Sequence, residues 1–357
     1  MAKFGVMNDA HTARRFVFDR APLRVYWEVT RACDLACRHC RAEARPDPDP
    51  DELTTQQARA LLEDLLAFAP AGDALPRLVL TGGDPLKRAD LFHLISAARA
   101  RGFKVSISPS ATPLLTPGVI TRFRAAGVEA ISLSLDGSRP ARHDAFRGIP
   151  GTYDRTLAAA RMAELVALPV QINTLVAGET LGDLPEIYER VCDVGAARWS
   201  LFFLVTVGRG ATLQPVTPRE ADAVLRWAGG LRKQRNIPLV TTTEAPHFRR
   251  VMGELTHAPR GHAGGVRDGN GILFISHTGD VTPAGFLPTV VGNVTRDDIV
   301  TLYRDDPLFV ALRAPDGFGG RCGRCELRWE CGGSRSRALA TCGDPLAEDP
   351  LCTYIPV

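Results

Sequence analysis

A chain of 357 residues, 45% of them hydrophobic, is long enough to bury a substantial core, and one large α/β barrel with an appendage fits it better than two equal domains. A net charge of +3 is too small to suggest nucleic acid or a membrane as partner. Four lysines against 39 arginines, with abundant alanine, read as coding bias, which lowers the significance of any single arginine.

The N-terminal "MAKFGVMNDAHTARRF" lacks the apolar run of a signal peptide, and no uncharged apolar stretch is long enough to span a bilayer. A cytoplasmic protein is expected. In that reducing compartment, nine cysteines point to metal or redox chemistry rather than to a disulfide framework.

After an N-terminal segment over 1–22, "LRVYWEVT" (23–30) reads as a strand, and "CDLACRHC" follows it directly. A helix over 53–68 is capped by Thr54 or Thr55. Strands are then expected over 77–83, 103–110, 128–137, 169–176 and 198–205. Helices are expected near 90–101, 116–126, 152–166 and 184–193. Six strand–helix alternations argue for parallel strands joined by helical crossovers, a partial (β/α)6 TIM-like barrel over 23–210. Polar and glycine-rich residues cluster just after the strand ends, on the rim where such folds build their sites.

The alternation is expected to stop near 210. A region over 211–271 then reads as a helix (217–235), a strand (237–243) and a mobile glycine-rich loop (259–271). "ILFISHTGDVTPAG" (272–285) reads as a hairpin turning at Thr278, Gly279 and Asp280, and it opens a final domain over 272–357. The last 40 residues are short of core formers and hold five of the nine cysteines, so metal is expected to hold them more than packing does.

Cys33, Cys37 and Cys40 supply three thiols in eight residues. Zinc with a fourth ligand from elsewhere is the plainer explanation. A loop directly after the first strand favours an iron–sulfur cluster with one iron left open, because a catalytic site has reason to leave a position free. In "RCGRCELRWECGGSRSRALATCGDPLAEDPLC", Cys322, Cys325, Cys331 and Cys352 supply four thiols, enough for a closed site. Zinc satisfies that spacing too.

Cys-x3-Cys-x2-Cys after the first strand, followed by "TGGDP" after the second, resembles the radical S-adenosylmethionine (SAM) superfamily. The resemblance implies a 4Fe–4S cluster on Cys33, Cys37 and Cys40 whose open iron binds SAM, and a 5′-deoxyadenosyl radical that removes a substrate hydrogen atom. It implies SAM contacts from Gly82, Gly83, Asp84 and Pro85, where glutamate is commoner than Asp84. Ser134 and Asp136 would grip the ribose with help from Asn173. Arg147 would hold the SAM carboxylate, and His39 would stand where an aromatic residue stacks near adenine.

The second cysteine group resembles the "twitch" variant of the SPASM extension, with one auxiliary 4Fe–4S cluster on Cys322, Cys325, Cys331 and Cys352. "VTPAGF" in the hairpin and arginine at 335 leave no ligands for a further cluster. Cys342 competes as fourth ligand but reads as a spare thiol, and Cys192 reads as a small buried core residue.

"CGGSRSRA", "GDPLAEDPLC" and "GFLPTVVGNV" resemble the branch that holds the haem d1 and alternative haem biosynthesis enzymes. That implies hydrogen abstraction near a carboxylate, followed by decarboxylation or side-chain loss on a tetrapyrrole propionate or a sugar or nucleoside uronate. An electron donor such as flavodoxin or ferredoxin is implied as partner. Candidate substrate contacts are Arg209, Glu244, His247 and Arg249 or Arg250, whereas His277 reads as a satisfied turn residue. A peptide-modifying enzyme of the same superfamily is the first alternative, weakened because only about 22 residues precede the first strand. A non-catalytic zinc-binding scaffold is the second.

Overall fold

The computed structural model describes residues 18–69, 74–232, 238–257 and 265–357. Part of the expected mobile loop, 259–264, lies outside them. Seven parallel strands run in chain order: β1 (Arg24–Glu28), β2 (Arg77–Thr81), β3 (Val105–Ile107), β4 (Ala130–Ser134), β5 (Val170–Val176), β6 (Arg198–Phe203) and β7 (Leu239–Thr243). At the other edge β8 (Ile272–Ile275) lies parallel to β1. It turns back through β9 (Asp280–Thr282), which pairs with β10 (Gly292–Asn293).

The expected six strands are therefore the middle of a ten-stranded sheet with β10 and β7 as its edges. The alternation does not stop near 210. Leu239–Thr243 continues the parallel order beside β6, because Pro218–Arg232 serves as one more crossover helix. The hairpin likewise joins the barrel sheet through β1, with Arg24 opposite Ile272 and Trp27 opposite Ile275.

The crossover helices are α1 (Thr55–Asp64), α2 (Leu91–Ala100), α3 (Pro117–Ala125), a pair α4 (Pro140–Arg147) and α5 (Thr152–Leu165), α6 (Leu184–Asp193) and α7 (Pro218–Arg232). Thr54 caps α1: its hydroxyl accepts from the Gln57 N–H, and the Gln57 side chain accepts from the Thr54 N–H at 2.9 Å. α4 went unpredicted, although Pro140 at its first turn and left-handed Gly148 just past its end are ordinary helix boundaries. α8 (Phe248–Thr256) follows β7.

Alternation along the strands separates two faces. Leu78, Leu80, Ile107, Ile131, Leu133, Ile172, Trp199 and Leu201 are buried in one continuous core with the helices. The opposite, inner face is more open and polar, with Ser106, Ser132, Ser134, Gln171 and Asn173 half-buried. Small polar side chains there leave room for ligands near the strand ends. Cys192 corrects the sequence reading: it is exposed, because α6 turns Leu184, Ile187 and Val191 inward and the next position round faces out.

The C-terminal segment adds α9 (Ile299–Asp305), α10 (Pro307–Arg313), α11 (Gly320–Arg324) and α12 (Arg335–Cys342). Among the described residues no helix is long and apolar enough to cross a membrane.

Candidate active site

β1 ends at Glu28 and delivers the chain into the first cysteine loop. Cys33 and Cys37 are buried there in a small apolar cluster with Leu35 and Ala44, and Cys40 packs against it. Backbone N–H groups already point at two of the sulfurs: Leu35 donates to Cys33 Sγ and Ala44 to Cys40 Sγ, both at 3.4 Å. Arg147 Nη1 donates to Cys37 Sγ at 3.5 Å. Such donors stabilise thiolate ligands, so the loop fits a three-cysteine cluster. Burial pushes the Cys33 thiol up to about 11, which makes it a thiolate at neutral pH only when a metal replaces its proton.

Gly82 and Gly83 pack under this loop. A Cβ on Gly83 would come within 2.7 Å of the Arg31 carbonyl oxygen and closer still to that of Ala32. The glycines thus permit a close approach first of all to the protein's own backbone. The Gly83 N–H donates to Thr30 O at 2.9 Å and the Asp84 N–H to Ala32 O at 2.7 Å. Asp84 is fully buried and accepts from Leu86 N, Ser110 N and Thr112 Oγ1. Burial raises its pKa despite those bonds. Pro85, also buried, opens the short turn that follows.

Arg147 and Asp136, expected to hold opposite ends of SAM, are ion-paired with each other. Asp136 also accepts from the Leu175 N–H at 2.7 Å, and its own N–H donates to His143 Nδ1 at 3.0 Å. Burial works to raise the Asp136 pKa, but Arg147, His39, His143 and the Leu175 N–H outweigh it and hold the carboxyl below its ordinary value. Ser134 and Asn173 stand opposite one another across β4 and β5, and Asn173 stands opposite Ser200 across β6. His39 stacks on Phe146 with ring centroids 5.0 Å apart, and burial brings its pKa down to about 4. The cysteine loop, the glycine turn and the ends of β4 and β5 therefore converge as the motif order implied.

Arg209 is spent on the same loop. Its Nε donates to Cys37 O at 3.0 Å, its Nη1 to Ala44 O at 3.2 Å, and its N–H to Cys40 O at 3.1 Å. It braces the cysteines, leaving only Nη2 without a partner. Arg249 donates to the carbonyls of Glu330 and Val266 and ties α8 to the C-terminal segment. Arg250 is paired with Asp222 and Glu254.

One latch was not foreseen. Glu28, buried at the end of β1, binds Arg41 at 2.6 Å and His277 Nδ1 at 2.8 Å, joining the strand, the cysteine loop and the hairpin turn. Burial works to raise the Glu28 pKa, but Arg41 and His277 prevail and hold it below 4.5. A depressed carboxyl contributes stability that is complete above its unfolded pKa and is lost as pH falls through the folded one. Urea titrations at pH 6 and pH 3.5 are expected to show that loss. Glu28→Gln should remove roughly 3 kcal/mol at pH 6 and flatten the difference. An unchanged pH slope in the variant would take the latch out of the account.

In the C-terminal segment, Cys322, Cys325, Cys331 and Cys352 line one cavity together with His247 and Asp349. Cys342 does not line it and is exposed at the end of α12. Asp349 N donates to Cys322 Sγ at 3.3 Å and Leu327 N to Cys325 Sγ at 3.4 Å, again suited to thiolate ligands. Burial pushes the Cys331 thiol up to about 12. His247 is buried, with both ring nitrogens unpartnered among the described residues, and burial lowers its pKa to about 4. Among the described residues no three His, Cys, Asp or Glu side chains gather as a single metal ion would require. Four sulfurs lining one cavity are enough for a closed metal site.

Glu244 closes β7 in the left-handed region at φ 57°. Its carboxyl accepts from Ser334 Oγ, and its carbonyl accepts from Arg337 Nη2 at 2.7 Å. Burial and neighbouring Asp268 push its pKa up, so the carboxyl favours its protonated form at neutral pH.

Residues 27–191 match the family model described as the radical SAM superfamily. The chain belongs to that superfamily, and it is a radical SAM enzyme that resembles the alternative haem biosynthesis branch. Its curated relatives include an AdoMet-dependent heme synthase of Oleidesulfovibrio alaskensis, 38% identical over 99% of this chain and 93% of that protein. A pre-heme d1 synthase of Dinoroseobacter shibae is 33% identical over 92% of this chain and 85% of that protein. In fold the chain is similar to Streptococcus suis SuiB bound to S-adenosylmethionine, with a TM-score of 0.72 at 18% identity, covering 94% of this chain and 78% of the other.

Proposed function

We propose that the enzyme decarboxylates a carboxylate-bearing small molecule, with a tetrapyrrole propionate as the preferred class and a sugar or nucleoside uronate as the other. The likeness to a heme synthase along almost the entire chain, cysteine-rich C-terminus included, carries this reading. When bound, the three-cysteine cluster and SAM supply a 5′-deoxyadenosyl radical, which abstracts a hydrogen atom.

The chain's own residues do the rest. Arg209 and the N–H groups of Leu35 and Ala44 hold the cysteine loop in shape. Asp136 and Arg147 lie beside Cys37 as a charged pair suited to the polar ends of SAM. The half-buried row Ser134 and Asn173 offers hydroxyl and amide groups to a ribose. Glu244, whose carboxyl burial and Asp268 push toward the protonated form, is the candidate donor of a hydrogen bond to a substrate carboxylate.

With a hydrogen atom gone from the carbon β to the carboxylate carbon, the bond to the carboxylate breaks. Carbon dioxide leaves, an alkene forms, and one electron is left over. A cluster held by Cys322, Cys325, Cys331 and Cys352 would be its acceptor, and a flavodoxin or ferredoxin would supply the electron that starts the next turnover. Substrate labelled at the carboxyl carbon should release labelled carbon dioxide in proportion to 5′-deoxyadenosine. A product that retains the label rejects the decarboxylation.

A further inference from the structure

Arg335 has no exposed surface, and its guanidinium touches one of the four sulfurs of the C-terminal cavity from behind the lining. Nη2 donates to Cys322 Sγ at 3.6 Å. Nη1 is held by the carbonyls of Pro345 at 3.0 Å and Ala347 at 2.6 Å, Nε leans on Gly333 O at 3.4 Å, and the group lies 4.5 Å over the ring of Phe318. No carboxylate is paired with it among the described residues, in contrast to Arg321 nearby, which binds Glu348. Buried Asp268 feels the Arg335 charge without being ion-paired to it, and negative charge at the neighbouring sulfurs would further offset the cost of burying this cation. The cavity wall also holds His247, whose ring nitrogens make no hydrogen bond among the described residues, the Asp349 carboxylate lying 4.0 Å from Nδ1.

We propose that Arg335 is a positioning residue that adapts the four-cysteine centre to accept the electron released by carboxylate loss, an inference that rests on the function proposed above. Reduction adds one negative charge to the centre. A fixed positive charge hydrogen-bonded to a ligating sulfur stabilises the reduced form more than the oxidised one and raises the potential. The balance is simple: the substrate radical loses carbon dioxide and one electron, and the oxidised centre gains that electron. Returning it to a donor protein restores the oxidised state.

The test is a redox titration, followed by electron paramagnetic resonance, of the full chain carrying serine at 33, 37 and 40, so that only the second centre is observed. Arg335→Gln should lower the ratio of reduced to oxidised centre at a fixed potential roughly tenfold, about 59 mV for one electron. Arg335→Lys, which keeps the charge and loses the fork, should recover part of that shift. Superimposable titrations of the parent and the glutamine variant overturn the proposal. So does loss of the centre from both variants with circular dichroism unchanged, because Arg335 would then build the site rather than tune it. If the parent itself binds no iron, the electron route of the proposed function fails first, and that outcome is read before any variant is made.

Discussion

Serine at positions 33, 37 and 40 together is expected to reduce 5′-deoxyadenosine formation from SAM to the uncatalysed background. Enzymes commonly accelerate their reactions by 10⁶-fold or more, so a loss on the order of 10⁶-fold is the scale to look for. The reason lies in the loop itself. Its three sulfurs are packed in an apolar cluster, two of them already accepting backbone N–H donors, and a serine hydroxyl gives up its proton far less readily than a thiol. Chromatography of anaerobic reactions with dithionite as reductant reads the result directly. Iron should remain at about four per chain, held by the C-terminal cysteines. Continued SAM cleavage in this variant would remove the first cysteine group from the chemistry.

Cys352→Ser should bring iron from about eight to about four per chain, whereas Cys342→Ser should leave it unchanged. The two thiols lie only ten residues apart, but Cys352 lines the cavity shared with Cys322, Cys325 and Cys331 while Cys342 faces outward at the end of α12. The Cys352 variant should still form 5′-deoxyadenosine and should release little carbon dioxide, because the leftover electron has no nearby acceptor. Iron and sulfide assays settle the first part and labelled substrate the second. Iron that stays near eight in Cys352→Ser but falls in Cys342→Ser would exchange their roles.

The parts of this enzyme that depend on short-range spacing were legible in the sequence. Cys33, Cys37 and Cys40 announce themselves within eight residues, and the strand before them and the "TGGDP" turn after β2 set their context. Cys352 is preferred to Cys342 on spacing alone, and the fold adds that Cys352 lines the cavity while Cys342 is exposed at a helix end. Arginine chemistry was the least legible. Arg209 and Arg249 were candidates for substrate, yet their guanidinium groups are used on carbonyls of Cys37, Ala44, Glu330 and Val266, partners far away along the chain.

The same holds for Glu28, an acidic residue at the end of a strand with nothing local to distinguish it, whose partners are Arg41 and His277. The seventh strand was seen as a strand but not as part of the barrel, since pairing with β6 is a matter of topology and not of local pattern. Cys192 was misread because helical phase at a single position is set by the packing of α6 as a whole.

The pairing of β1 with β8 has a consequence for how the enzyme is made. β1 leaves the ribosome long before β8, its partner across one edge. Until residue 275 emerges, the strand that feeds the iron-binding loop has an open flank, and Glu28 waits for His277. A chain cut short before the hairpin should therefore emerge metal-poor and prone to aggregate.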